Sequence, residues 1–181
     1  MPNFLTFLRI FLIPVLVVIW FVPIQGKNIL AMSIFIIASL TDWLDGYLAR
    51  KMQQTSKFGA FLDPVADKLI VAVVLVLLVQ AYPTAWLAIA AVVIIGREIT
   101  ISALREWMAE IGKRQHLAVS NMGKYKTFAQ MAALVLLLYG QSLGGIPIFH
   151  IGLVLLYVAV ALTLWSMLIY LKAAWANLRQ A

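Results

Sequence analysis

Six apolar stretches dominate the chain, at about 5–22, 29–49, 64–82, 84–104, 125–140 and 146–171. The breaks between them carry turn-forming residues: Pro23 with Gly26, Gly59, Pro83, Gly112, and the run Gly140, Gly144, Gly145 and Pro147. A helix needs about 17–25 mostly apolar residues to cross a bilayer, and most of the six stretches reach that length. The pattern predicts an all-α integral membrane fold with six transmembrane helices. No internal repeat divides it, so residues 1–181 form one domain.

Composition strengthens this reading. The chain is 64% hydrophobic and 12% charged, against about 25% charged residues in a soluble domain. That much apolar surface needs lipid as its solvent. With no cysteine, disulfides and thiolate chemistry are excluded. The first stretch lacks a small-residue cleavage signal and is expected to stay in the membrane rather than act as a signal peptide. Lys27 is the one cation in the connections near 23–28, 81–84 and 140–147, and the remaining Lys and Arg lie in or toward the opposite side. The positive-inside rule makes that opposite side cytoplasmic, with both termini there. Trp20, Tyr82, Trp86, Tyr139 and Trp175 fall near span ends and are expected to be interfacial anchors.

Acid is placed differently. The chain has four aspartates, Asp42, Asp45, Asp63 and Asp67, all within 26 consecutive residues. An aspartate at the centre of a span costs about 2.5–3.5 kcal/mol on insertion scales, so something must offset it. Asp42 and Asp45 are three apart, and Asp63 and Asp67 are four apart, so each pair shares one helix face. The short connection near 50–58 makes the two helices antiparallel neighbours, with both acidic ends at the same membrane boundary. Four facing carboxylates repel one another unless a cation lies between them. An all-oxygen donor set suits magnesium or manganese, and two distant histidines argue against zinc. Two blander readings compete with this one. Asp63-Pro64 resembles an ordinary capped helix start, and Asp42 and Asp45 can be paired with Arg50 and Lys68.

Small residues flank the acids. Gly46, Ala49 and Gly59 leave room for a flat base or a pyrophosphate to approach the backbone, although Gly46 alone suits helix packing equally. Arg50 and Lys57 at the mouth can hold phosphate oxygens, or Lys57 can simply mark topology.

The run Asp42-Trp43-Leu44-Asp45-Gly46-Tyr47-Leu48-Ala49-Arg50, followed by eight residues, Gly59, three residues, Asp63, three residues and Asp67, resembles the signature of the CDP-alcohol phosphotransferases. Every fixed position and gap is present. The resemblance implies that Asp42, Asp45 and Asp63 hold metal, two Mg2+ or Mn2+ ions, with Asp67 a further ligand or the general base. It implies that Gly46, Ala49, Arg50 and Gly59, with Lys57 nearby, border the CDP part of the donor, CDP-diacylglycerol. The opening residues Pro2 to Arg9 also resemble the family's first segment. There Asn3, Thr6 and Arg9 recur every three residues, a polar stripe on a short N-terminal interfacial helix. Whether that stripe meets substrate or only lipid headgroups is open at this level.

A second polar concentration runs from Arg97 to Lys126. Arg97, Arg105, Lys124 and Lys126 can converge on a phosphate at the cytoplasmic mouth, and an arginine inside a span is a functional candidate by default. Residues 96–107 and 123–127 resemble the branch of the family whose acceptor is glycerol 3-phosphate. Inositol phosphate, or phosphatidylglycerol as in cardiolipin synthesis, are the alternatives within the family. The resemblance further implies a homodimer in a bacterial inner membrane, surrounded by membrane lipids and with no nucleic-acid partner. The rival class, an ion-coupled transporter, would place its acids at the midplane in mirrored halves, and this chain does neither.

Overall fold

The computed structural model describes residues 2–52, 57–110 and 121–178, with side chains described throughout except at 2–4, 43, 45–52, 57, 58, 60, 61, 121–124 and 173–178. Six helices follow one another: α1 (Pro2–Phe21), α2 (Lys27–Met52), α3 (Lys57–Ala81), α4 (Ala85–Glu110), α5 (Asn121–Tyr139) and α6 (Ile148–Leu178). Each apolar stretch of the sequence corresponds to one of them. The helices overrun the apolar stretches by three residues or more at the start of α1, the end of α2, the start of α3, the end of α4, the start of α5 and the end of α6. All six of these overruns lie at the end of the bundle where Lys and Arg collect. Hydropathy marks the part of a helix that meets lipid, whereas the i→i−4 ladder continues into the polar zone.

Two expectations are corrected here. The N-terminal polar segment is not a separate interfacial helix, because α1 is continuous from Pro2 to Phe21. Asp63-Pro64 is not a helix start, because α3 begins at Lys57 and Pro64 is interior.

The interior is mainly apolar but also holds charged and polar groups, and large apolar side chains cover much of the outside. Among the described residues Arg9, Arg97, Lys126 and Gln130 are buried, while Trp86, Val92, Phe128 and Val154 are more than half exposed. Charged groups inside the bundle and large apolar groups facing outward suit a hydrocarbon solvent. Among the described residues α4 and Ile148–Lys172 of α6 are long and apolar enough to cross a membrane, with mean hydropathy 2.0 and 2.3. The core between the helices is built from Leu16, Phe35, Leu75, Leu78, Leu134 and Leu156. Trp20 belongs to that core and is not an exposed anchor: it is buried, its carbonyl accepts from Lys27 Nζ at 3.3 Å, and the ammonium lies 5.8 Å from its ring. Trp86 keeps its expected exposed position, edge-on to Tyr157. Trp175 lies outside the described side chains.

α1 packs on α2 and α3, α4 on α3 and α6, and α5 on α6 and α2. The α5–α6 pair is drawn close at Gly152, where a Cβ would lie 3.0 Å from the Leu137 side chain. Its connection is tight. Leu143 and Ile146 exchange backbone hydrogen bonds of 3.1 and 3.0 Å around Gly144 and Gly145, both with positive φ. Gly140 ends α5 in the left-handed region (φ 64°), its N–H donating to Leu136 O at 3.1 Å. A Cβ there would also lie 2.6 Å from Tyr82 Oη. Gly140→Ala is therefore expected to destabilise the fold by more than about 1 kcal/mol, read as a lower thermal midpoint in detergent. An unchanged midpoint would show that neither the φ nor the contact matters.

Candidate active site

The acidic end of the bundle is organised by α1. Arg9, only 1% exposed, donates through Nη1 to Asp67 Oδ1 at 2.5 Å and lies 3.1 Å from Asp42 Oδ1. One turn earlier, Thr6 donates to Asp63 Oδ1 at 2.5 Å. Thr6 and Arg9 of the polar stripe thus face inward. They gather one carboxylate from α2 and two from α3. Among the described residues the cation that pairs with Asp42 and Asp67 is Arg9, and Lys68 turns instead to Ser102 of α4.

The carboxylates are open while their arginine is closed. Asp42 and Asp67 are 46% and 37% exposed, whereas Arg9 lies beneath them with Nε and Nη2 buried and, among the described residues, without hydrogen-bond partners. An incoming cation or phosphate meets carboxylate oxygens first, with a fixed positive charge behind them. Three aspartates offer hard oxygen donors only, which fits magnesium or manganese and not zinc. Among the described residues no three acids or histidines form a ready-made metal ligand set; the arginine stands among the carboxylates. Gly59 is buried in the first turn of α3, one turn before Asp63. The side chains of Asp45, Ala49, Arg50 and Lys57, and the packing around Gly46, lie outside the described residues.

The second cluster lies between α4, α5 and α6. Glu98 Oε1 accepts from Arg97 Nη1 at 2.9 Å and from Lys126 Nζ at 2.7 Å. Arg97 Nη2 donates to Ser166 Oγ of α6 at 3.1 Å. Arg105 contacts Tyr170, one turn beyond Ser166, through a 3.3 Å hydrogen bond and a 5.5 Å approach to the ring. Arg97 and Lys126 therefore come together, and Arg105 faces the same helix α6. The Lys124 side chain lies outside the described residues.

A clip joins the two clusters: Lys68, next to Asp67, donates to Ser102, whose hydroxyl donates to the Glu98 carbonyl at 2.5 Å. Ser102, Ser166 and Tyr170 were not legible as site residues, because a lone hydroxyl in a span is common. Arg9 carried a signal, the three-residue polar stripe, that spacing alone could not aim.

An all-helical bundle with polar groups inside, apolar groups outside and a carboxylate cluster at one end defines a membrane protein built around an anionic site. The family model for CDP-alcohol phosphatidyltransferase matches residues 1–165, and the chain belongs to that family. It is 50% identical over 177 residues to the CDP-diacylglycerol–glycerol-3-phosphate 3-phosphatidyltransferase of Escherichia coli (strain K12), covering 98% of this chain and 96% of the relative. The proteins of the same name from Salmonella choleraesuis (strain SC-B67) and Shigella flexneri are 51% and 50% identical over the same shares.

Proposed function

We propose that the chain transfers the phosphatidyl group of CDP-diacylglycerol to sn-glycerol 3-phosphate, giving phosphatidylglycerophosphate and CMP. The observation that carries this reading is the convergence of Asp42, Asp63 and Asp67 on Arg9 and Thr6, one clip away from the cations Arg97 and Lys126. Near-full-length similarity to phosphatidyltransferases named for these substrates supports it.

In this reading Asp42, Asp45, Asp63 and Asp67 would hold magnesium or manganese, which when bound neutralises the donor pyrophosphate and the departing CMP. Gly46, Ala49 and Gly59 border the cytidine and pyrophosphate, with Arg50 and Lys57 at the mouth. Arg97, Arg105, Lys124 and Lys126 bind the acceptor phosphate. The acceptor's free primary hydroxyl attacks the phosphorus that carries diacylglycerol. The bond from that phosphorus to the CMP oxygen breaks, CMP leaves with the bonding pair, and Asp67 takes the hydroxyl proton. All six helices span the bilayer, with the site and both termini cytoplasmic and a second copy forming a homodimer. A soluble acceptor then reaches the site from water while the donor's acyl chains remain in lipid.

CMP release from CDP-diacylglycerol is expected with glycerol 3-phosphate, and to be weak with glycerol, inositol phosphate or phosphatidylglycerol. Equal use of glycerol and glycerol 3-phosphate would discard the phosphate pocket. Arg97 uses both terminal nitrogens, toward Glu98 and Ser166, and an ammonium cannot reproduce that fork. Arg97→Lys is expected to raise the KM for glycerol 3-phosphate by about ten- to a hundredfold, the scale of one charge-assisted bond. The KM for CDP-diacylglycerol should move far less.

A further inference from the structure

Glu98 has no role in the mechanism above, although two of the proposed acceptor cations end on one of its oxygens. Arg97 and Lys126 come from different helices, and both are buried. Two buried cations repel each other more strongly than they would in water. Glu98 Oε1 accepts from both, at 2.9 and 2.7 Å, and so holds them closer than their charges alone would permit. Ser166 takes the second terminal nitrogen of Arg97, which fixes the plane of the guanidinium. The Glu98 backbone is itself tied to α3 through Ser102 and Lys68.

We propose that Glu98 is a positioning residue for the acceptor: it orients Arg97 and Lys126 toward a phosphate monoester without touching that phosphate itself. This rests on the acceptor reading given above. The charges support it. With Glu98 ionised, Arg97, Arg105 and Lys126 still keep two uncompensated positive charges, and Lys124 adds a third, so the site stays cationic enough for a phosphate monoester dianion. A diester or a neutral alcohol would leave part of that charge unpaired in a partly desolvated site. Glu98 thus also contributes to the preference for a monoester.

The test uses the full-length enzyme and the variants Glu98→Gln, Glu98→Asp and Lys126→Met. Glutamine keeps the volume and one acceptor oxygen but loses the charge. Glu98→Gln is expected to raise the KM for glycerol 3-phosphate about tenfold, with the KM for CDP-diacylglycerol within about twofold of the parent. Inhibition by inorganic phosphate, competitive with glycerol 3-phosphate, should weaken in parallel. Aspartate keeps the charge on a shorter arm, so Glu98→Asp should show a smaller rise and serves if the glutamine variant does not fold. A lower thermal midpoint with both KM values unchanged would overturn the proposal in favour of a structural role. A lower acceptor KM would overturn it too, by showing that Glu98 competes with the phosphate. If Lys126→Met raises the acceptor KM while both Glu98 variants leave it alone, positioning fails and the acceptor site stands. If no variant moves it, the acceptor site itself lies elsewhere.

Discussion

Asp67→Asn is expected to lower turnover by roughly 10²-fold or more, the scale of general acid–base catalysis and about 2.7 kcal/mol of barrier. Asparagine keeps the shape of the side chain and an Oδ1 that can still accept from Arg9 Nη1, the 2.5 Å contact of the parent. Arg9 also keeps Asp42, 3.1 Å away. The α1–α3 contact should therefore survive, and the loss should fall on the chemical step. Binding of CDP-diacylglycerol should be retained better than in Asp42→Asn or Asp45→Asn, where the expected defect is lost metal. The measurement is kcat in detergent micelles beside donor binding on the same preparation. A variant that turned over like the parent would remove Asp67 as the base.

Chelation is expected to abolish turnover, and magnesium or manganese to restore it. The argument is one of charge. Among the described residues one guanidinium stands against the three carboxylates of Asp42, Asp63 and Asp67, so the cluster is negative before any substrate arrives. A pyrophosphate brings further negative charge to the same place, and close anions repel strongly where water is scarce. Divalent cations bound by hard oxygen donors remove that barrier. Full activity in metal-stripped buffer would end the metal-cluster mechanism and leave Arg9 as the main electrophile. Restoration by zinc in place of magnesium would contradict the all-oxygen donor set.

Much of this protein was legible along the chain. Six apolar stretches foretold six helices, because hydrophobic length is a local property that the bilayer thickness reads directly. The run from Asp42 to Asp67 resembles the family signature, and its three- and four-residue gaps set which acids share a helix face whatever the helix packs against. Helix ends were less legible. α3 begins about two turns before its apolar stretch, since hydrogen bonding does not stop where hydropathy does.

What only the tertiary structure decided was which charges meet. Arg50 and Lys68 were the candidate partners for Asp42 and Asp45 by proximity in sequence. Among the described residues the cation on Asp42 and Asp67 is Arg9, 58 residues from Asp67, because α1 packs Thr6 and Arg9 against α2 and α3. Spacing made Arg97 and Lys126 candidates for one phosphate, but their shared carboxylate, Glu98, and the Ser166 contact depend on α4, α5 and α6 packing together. Trp20 differs from its expected place for the same reason: position near a span end does not say which way the ring turns. Periodicity assigns a residue to a face of its helix, and only packing chooses what that face meets, because contact between helices depends on side-chain shape and charge across distant segments.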